Sequence, residues 1–394
     1  MGNMTARERI IKTIDHEEPD CVPSFESSID NLAVCKHFKV KYGLLGAGQA
    51  YKIVYGMKFE NNEQFNKLMG EFNSFKMGLP NLVKLYKRIG IDLVPSPIAL
   101  FPQLFDKDGF VDEYGRINHF KLNPADNMDV VYYMGGAIKD FEDFENFPPL
   151  DPDDPRREEI QKEAKRLEEK FAGKVHIAPM IFGMMEMTWE AFGLENFSRL
   201  LVQRENIKKV FDNRGKFTVE LVKRLIEWGE NGVVIMCDDY GYKGGPFMSP
   251  LNYRKFVFPW LKRICDTAHK GGLKFILHSC GDIEKVFEDI IKCGVDAVHP
   301  IEPTTANPEY DIFKLNEKYG DKITFVGNVS PQDLSDKNPE IIRDYTKRLL
   351  KEVAPGGGLI LCSGHSINPA IKLENFLAMR ETLSKYGKYP IQIN

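Results

Sequence analysis

The chain has 394 residues, 43% of them hydrophobic and 28% charged, with 53 Lys and Arg against 57 Asp and Glu and a net charge of −4. This near balance gives no reason to expect nucleic acid or an anionic membrane as partner, so any charged ligand must be held locally. Apolar runs reach only about six to eight residues, short of a membrane span, and the polar start Met1-Gly-Asn-Met-Thr-Ala-Arg lacks a signal-peptide core; the expected location is the cytoplasm. Seven cysteines, scattered and odd in number, suit reduced thiols better than a disulfide framework.

From Met4 to Glu17 the pattern predicts a short amphipathic helix, with Thr5 and Glu8 at capping-box spacing. Cys21-Val-Pro-Ser-Phe-Glu is the first candidate strand. Residues 30–85 read as mixed helix and loop. Gly90-Ile-Asp-Leu-Val-Pro-Ser-Pro is a second strand, stopped by its prolines. Between about 101 and 154, Asp108-Gly, Tyr114-Gly and Gly135-Gly punctuate short apolar segments, which is hairpin chemistry and predicts a β-rich insertion. Pro155 then opens a charged helix ending near Gly173.

After this the rhythm is regular. Strands are predicted at Val175–Gly183, Gly232–Asp239, Leu273–Leu277, Val295–His299, Ile323–Gly327 and Gly358–Cys362, separated by helices at 194–228, 249–269, 286–293, 311–319 and 339–353 and followed by a C-terminal helix. Eight strands alternating with helices predict a single-domain (β/α)8 TIM barrel over 1–394, with an N-terminal helical extension and a hairpin-rich insertion; a doubly wound open sheet is the alternative.

A barrel of this kind carries its chemistry just past the strand ends. There the sequence puts Glu26 after the first strand, and Met184, Met185 and Glu186 after the third, with Phe182 near that strand's end. Asp238, Asp239 and Tyr240 follow the fourth, His278 and Cys280 the fifth, and His299 and Glu302 the sixth. Asn328 follows the seventh, and Cys362, Ser363 and His365 the eighth. Strand alternation turns His278 and Cys280 to one side. With Cys362 across the lumen, they make a His, Cys, Cys set with an open fourth position, the pattern of a catalytic zinc site. Asp238, Asp239, Tyr240 and Glu186 are the candidate proton carriers. Glu26, Phe182, Met184, Glu302, Asn328 and His365 are the candidate substrate contacts. The glycine clusters at Gly43, Gly46 and Gly48 and at Gly356–Gly358 lack the strand-to-helix context of a nucleotide loop.

Several stretches together resemble the uroporphyrinogen decarboxylase superfamily: Gly232-Val-Val-Ile-Met-Cys-Asp-Asp-Tyr-Gly, Met248-Ser-Pro-x-x-Tyr-Arg-Lys-Phe, His278-Ser-Cys-Gly-Asp, Gly327-Asn-Val and Ser363-Gly-His-Ser-Ile-x-Pro. The resemblance runs over roughly residues 5 to 390 and is strongest to the corrinoid-dependent methyltransferase branch, which implies a TIM barrel. The decarboxylases of that family carry arginines after the first strand and an aspartate at the end of the second. Here the first segment is Cys21-Val-Pro-Ser-Phe-Glu-Ser-Ser, and Pro97 stands where the aspartate is expected. The methyltransferase branch uses His-x-Cys and a distant Cys on zinc. His278 and Cys280 match the first two, while the third is Cys362, His365 in its place, or a carboxylate such as Glu302, unless the site holds no metal at all.

The implied activity is methyl transfer between a small substrate, best a methoxylated aromatic, and the cobalt of a corrinoid carried by a partner protein. A thiol methyltransferase and a metal-free decarboxylase are the alternatives. A homodimer stays open.

Overall fold

The computed structural model describes residues 4–40, 73–105, 108–123 and 128–393, with the side chains of 123 and 128–130 left aside. Gly43, Gly46 and Gly48, and much of the mixed 30–85 region, lie outside the described residues.

Thirteen strands are described. The main sheet has seven parallel strands in the order β1 (Leu93–Pro97), β6 (His176–Phe182), β7 (Val233–Cys237), β10 (Lys274–His278), β11 (Ala297–His299), β12 (Thr324–Val329) and β13 (Leu359–Ser363). Each is three to seven residues of largely β-branched or apolar sequence, buried on both faces as parallel strands require. The first predicted strand is present but too short to count as one. Ser24 bridges Leu361 and Phe25 bridges Leu93, both parallel. The Leu361 and Leu93 amides donate to Pro23 and Ser24 carbonyls at 2.9 and 3.1 Å. That segment joins the two edge strands and closes the eight-stranded barrel.

Between β1 and β6 the chain builds a separate antiparallel sheet from β2 (Pro102–Phe105), β3 (Gly109–Asp112), β4 (Arg116–Asn123) and β5 (Met128–Gly136). It rests on the helix Met184–Phe192 that follows β6: the Tyr133 hydroxyl donates to Glu190 O at 2.8 Å, and the Ile138 amide to Ala191 O at 3.1 Å. Approach is so close at Gly136 that a Cβ there would lie 2.1 Å from Ala191 O. A small hairpin of β8 (Gly241–Tyr242) and β9 (Gly245–Pro246) follows β7.

The N-terminal helix Ala6–Ile14 has the expected capping box of Thr5 and Glu8. Its buried Ile10 and Ile14 plug one end of the barrel, packing on interior residues Leu93, Ala178, Ile235, Ile276 and Ile360. The predicted helix over 194–228 is two, Leu194–Val202 and Arg204–Glu227, broken at Gln203. The predicted helix over 249–269 contains a π turn at Tyr253–Val257 just before Pro259, whose missing N–H cannot continue an α-helical ladder. All seven cysteines are free. Among the described residues no helix is long and apolar enough to cross a membrane.

Candidate functional site

The interior parity of each strand decides what stands at the barrel's other end. Ile235, Ile276 and Ala297 belong to the interior cluster. Two residues on, Cys237, His278 and His299 face the same way, and their register aligns them across β7, β10 and β11. His278 is the last residue of β10, so its ring stands at the C-terminal mouth, where a barrel of this kind assembles its active site.

Around His278 the ligand atoms of Asp239, His278 and Cys280 all lie within 4.8 Å of one another. Cys280 Sγ is 3.4 Å from His278 Nε2, and Asp239 Oδ1 is 3.6 Å from that nitrogen. The His-x-Cys pair therefore converges as its spacing predicts, and the third member is Asp239, two residues past β7. Cys362 faces the interior but packs in the apolar cluster with Phe25 and Ile360, at 1% exposure, and is not part of the group. His365 sets its ring 6.2 Å from that of His278, edge to face.

Loops after four strands are tied together by backbone donors. The Cys280 amide donates to Asp239 Oδ1 at 2.7 Å, and the Gly281 amide to Glu302 Oε2 at 2.9 Å. The Asp239 amide donates to Glu186 Oε2 at 3.4 Å, and the Glu186 amide to Asp238 Oδ1 at 2.8 Å. Gly183 lets this happen: a Cβ there would sit 2.2 Å from the Asp238 carboxyl carbon.

Burial sets the protonation of these groups. Glu186 is driven well above the ordinary carboxylate range by desolvation, reinforced by the Asp239 and Glu190 charges. Asp238 is pushed up to about 7 by burial, with the Glu186 amide opposing. Burial holds both His278 and His299 below the usual imidazole value, so both rings are neutral near pH 7. Their Nδ1 atoms are 2.6 Å apart, and one must donate to the other.

Other expected contacts are placed elsewhere. Tyr240 is buried, its ring 5.3 Å from Tyr253, whose hydroxyl donates to the Tyr240 carbonyl. Asn328 donates to Ile301 O and accepts from Tyr345 on the outer helix Pro339–Glu352. Glu26 is sealed at the barrel seam, where the Ser363 amide and hydroxyl donate to it. Met184 is fully buried in the main core, whereas Phe182 at the end of β6 is half-buried. Two residues that matter are not apparent from the sequence in the roles they take. Asp239 is expected there as a proton carrier, and only the β7–β10 register shows that it reaches His278. Arg116, which holds Glu190 beside the site, lies 74 residues from it in sequence.

The family described as Uroporphyrinogen decarboxylase (URO-D) matches residues 130–386. Among curated relatives, a methylcobamide:CoM methyltransferase of Methanosarcina acetivorans is 24% identical over 225 residues, 55% of this chain and 61% of its own. One from Methanosarcina mazei is 23% identical over 190 residues, 46% of this chain and 54% of its own. The match thus spans between half and two thirds of these relatives' length. A uroporphyrinogen decarboxylase of Methylococcus capsulatus is 33% identical over 77 residues, 20% of this chain and 22% of its own. Among solved structures, a methyltransferase from Methanosarcina mazei superposes with a TM-score of 0.68 at 17% identity, covering 98% of this chain and 99% of that one, which shows a shared fold.

Proposed function

Because the chain belongs to the uroporphyrinogen decarboxylase (URO-D) family, we propose that it is a corrinoid-dependent methyltransferase. It moves a methyl group between a small substrate and the cobalt of a corrinoid supplied by a partner protein. The relatives named methylcobamide:CoM methyltransferases support this branch. The observation that carries the reading is the convergence of Asp239, His278 and Cys280 within 4.8 Å at the barrel mouth.

An imidazole nitrogen, a thiol sulfur and a carboxylate oxygen in one partly open cluster fit zinc, and the three residues would hold it. When bound there, zinc supplies Lewis acidity toward an ether oxygen, or lowers the pKa of a thiol. As a ligand, His278 would keep its proton at Nδ1 and donate a hydrogen bond to His299 Nδ1, which would hold the ring with Nε2 toward Cys280 and Asp239. Asp239 is aligned by the Cys280 amide. Glu186, protonated by desolvation and by its carboxylate neighbours, is suited to hand a proton to a departing oxygen.

For the substrate we favour a methoxylated aromatic. Among the described residues the strand ends carry the carboxyls of Glu186, Asp238, Asp239 and Glu302, with Glu186 protonated and Asp238 pushed up to about 7, a largely neutral set that suits a neutral ether beside the half-buried ring of Phe182. Carboxyls in place of converging cations argue against decarboxylation of a polycarboxylate. A thiol acceptor is the second reading, favoured by the CoM named for the relatives.

The test is zinc analysis of the purified protein, joined to an assay for methyl-corrinoid formed from a methoxylated aromatic. Cys280→Ser should lose both metal and methyl transfer. Full activity in metal-free protein would overturn the reading.

A further inference from the structure

Three arginines lie on or near the insertion sheet, Arg157 and Arg214 buried and Arg116, on β4, partly buried; two of the three are paired with carboxylates. Arg116 sits between Asp112 and Glu190, each at 2.7 Å, and Arg157 is paired with Glu113. Arg214, on the helix Arg204–Glu227, is only 3% exposed and forms no ion pair with a carboxylate among the described residues. Its Nη2 donates to the Tyr114 carbonyl at 3.0 Å, and its Nε has no partner. Burial pulls its pKa down to about 10, against opposing pulls from Tyr114, Asp112 and Glu113, so the charge persists at neutral pH. A buried charge without a counter-ion is costly, and a ligand that supplies one is favoured in proportion.

Arg214 forms part of the wall of a cavity of about 500 Å3, within the size range of small-molecule sites. Much of the remaining wall is apolar: Phe141 and Phe144, stacked at 6.0 Å, with Phe147 and Leu150. Lys209 and Asn213 line the exposed rim from the same helix as Arg214, and Glu145 lines it as well. With Glu113 already matched by Arg157, the two cations and Glu145 leave one net positive charge. That suits a monoanion; a dianionic phosphate would keep a negative charge unmatched among phenyl rings. None of Asp239, His278 and Cys280 lines this cavity.

We propose that the cavity is a binding site for a small aromatic monocarboxylate, its carboxylate against Arg214 and its ring on Phe141, Phe144 and Phe147. The site stands apart from the strand-end cluster and does not depend on the methyl-transfer reading.

Benzoate is the probe, with benzamide and inorganic phosphate as controls. Calorimetry is read together with hydrogen exchange over residues 141–150. The expected result is benzoate binding with slowed exchange in that segment, and no comparable binding of either control. Arg214→Gln should weaken benzoate about tenfold or more. Should that variant fail to fold, Lys209→Gln on the rim keeps the fold and lowers affinity about threefold. No benzoate binding, binding without protection of 141–150, equal binding of benzamide, or undiminished affinity in a folded Arg214→Gln protein would each overturn the proposal.

Discussion

His278 and His299 face each other through their Nδ1 atoms at 2.6 Å, adjacent in register on neighbouring strands and both neutral by burial. Phe25 packs edge-on against His299 at 5.2 Å and limits where that ring can turn. With a metal on His278, His299 would do for it what a carboxylate or carbonyl does for many metal-binding histidines. Removing it as His299→Leu is expected to lower zinc affinity about 10- to 100-fold while the protein stays folded. Competition with a chromophoric chelator measures this, and unchanged affinity would remove the orienting role.

The choice between Asp239 and Cys362 as third ligand is open to direct test. Asp239→Ala should reduce zinc from about one per chain to a small fraction. Cys362→Ala should keep the metal and cost about 1 kcal/mol of stability as a small core truncation. Metal content and urea denaturation separate the two outcomes, and loss of zinc in Cys362→Ala would restore the His, Cys, Cys set expected from the sequence.

Glu26 makes stability depend on pH. Burial raises its carboxyl from an ordinary 4.5 to about 8, partly offset by the Ser363 hydroxyl and amide. A raised carboxyl pKa means that the folded state prefers the proton. Its contribution is complete below pH 4.5 and declines as pH rises toward 8. Glu26→Gln should flatten that decline, so its melting temperature relative to the parent rises between pH 5 and pH 8. A constant difference across that range would contradict the assignment.

Arg116 keeps two buried carboxylates, Asp112 and Glu190, compensated at 2.7 Å each. Arg116→Met is expected to cost about 3–5 kcal/mol in denaturant unfolding, since removing one partner strands the others. Adding Asp112→Asn and Glu190→Gln should recover much of the loss. If the triple variant is no more stable than the single one, the loss comes from packing of the arginine stem and not from its charge.

Much of the barrel is legible in the sequence because its parallel strands are short apolar runs bounded by glycine or proline, as at Gly232-Val-Val-Ile-Met and Gly358-Leu-Ile-Leu. The His278 and Cys280 pair is legible for the same reason, both residues belonging to one strand and its exit. Asp239 as partner is not, since its approach to Nε2 depends on register between β7 and β10. Nor is the burial of Tyr240, whose ring packs 5.3 Å from Tyr253 and 5.9 Å from Phe258. The helix Met184–Phe192 begins at once after β6, so the stretch from Met184 to Glu186 reads equally well as a strand exit.

The Cys21–Glu26 segment has a kinetic meaning. It joins residues near position 25 to residues near 361, almost the full length of the chain, through only one bridge on each side. Contacts of such sequence separation are expected to form after local ones, with closure of this barrel following the last strand. Before closure the sheet would have two free edges and Glu26 would lie in water, ionised at neutral pH. Closing the seam would then take up a proton along with the strand. Refolding of this chain should therefore slow as pH rises toward 8, with the last-protected amides being those of Phe25 and Leu361.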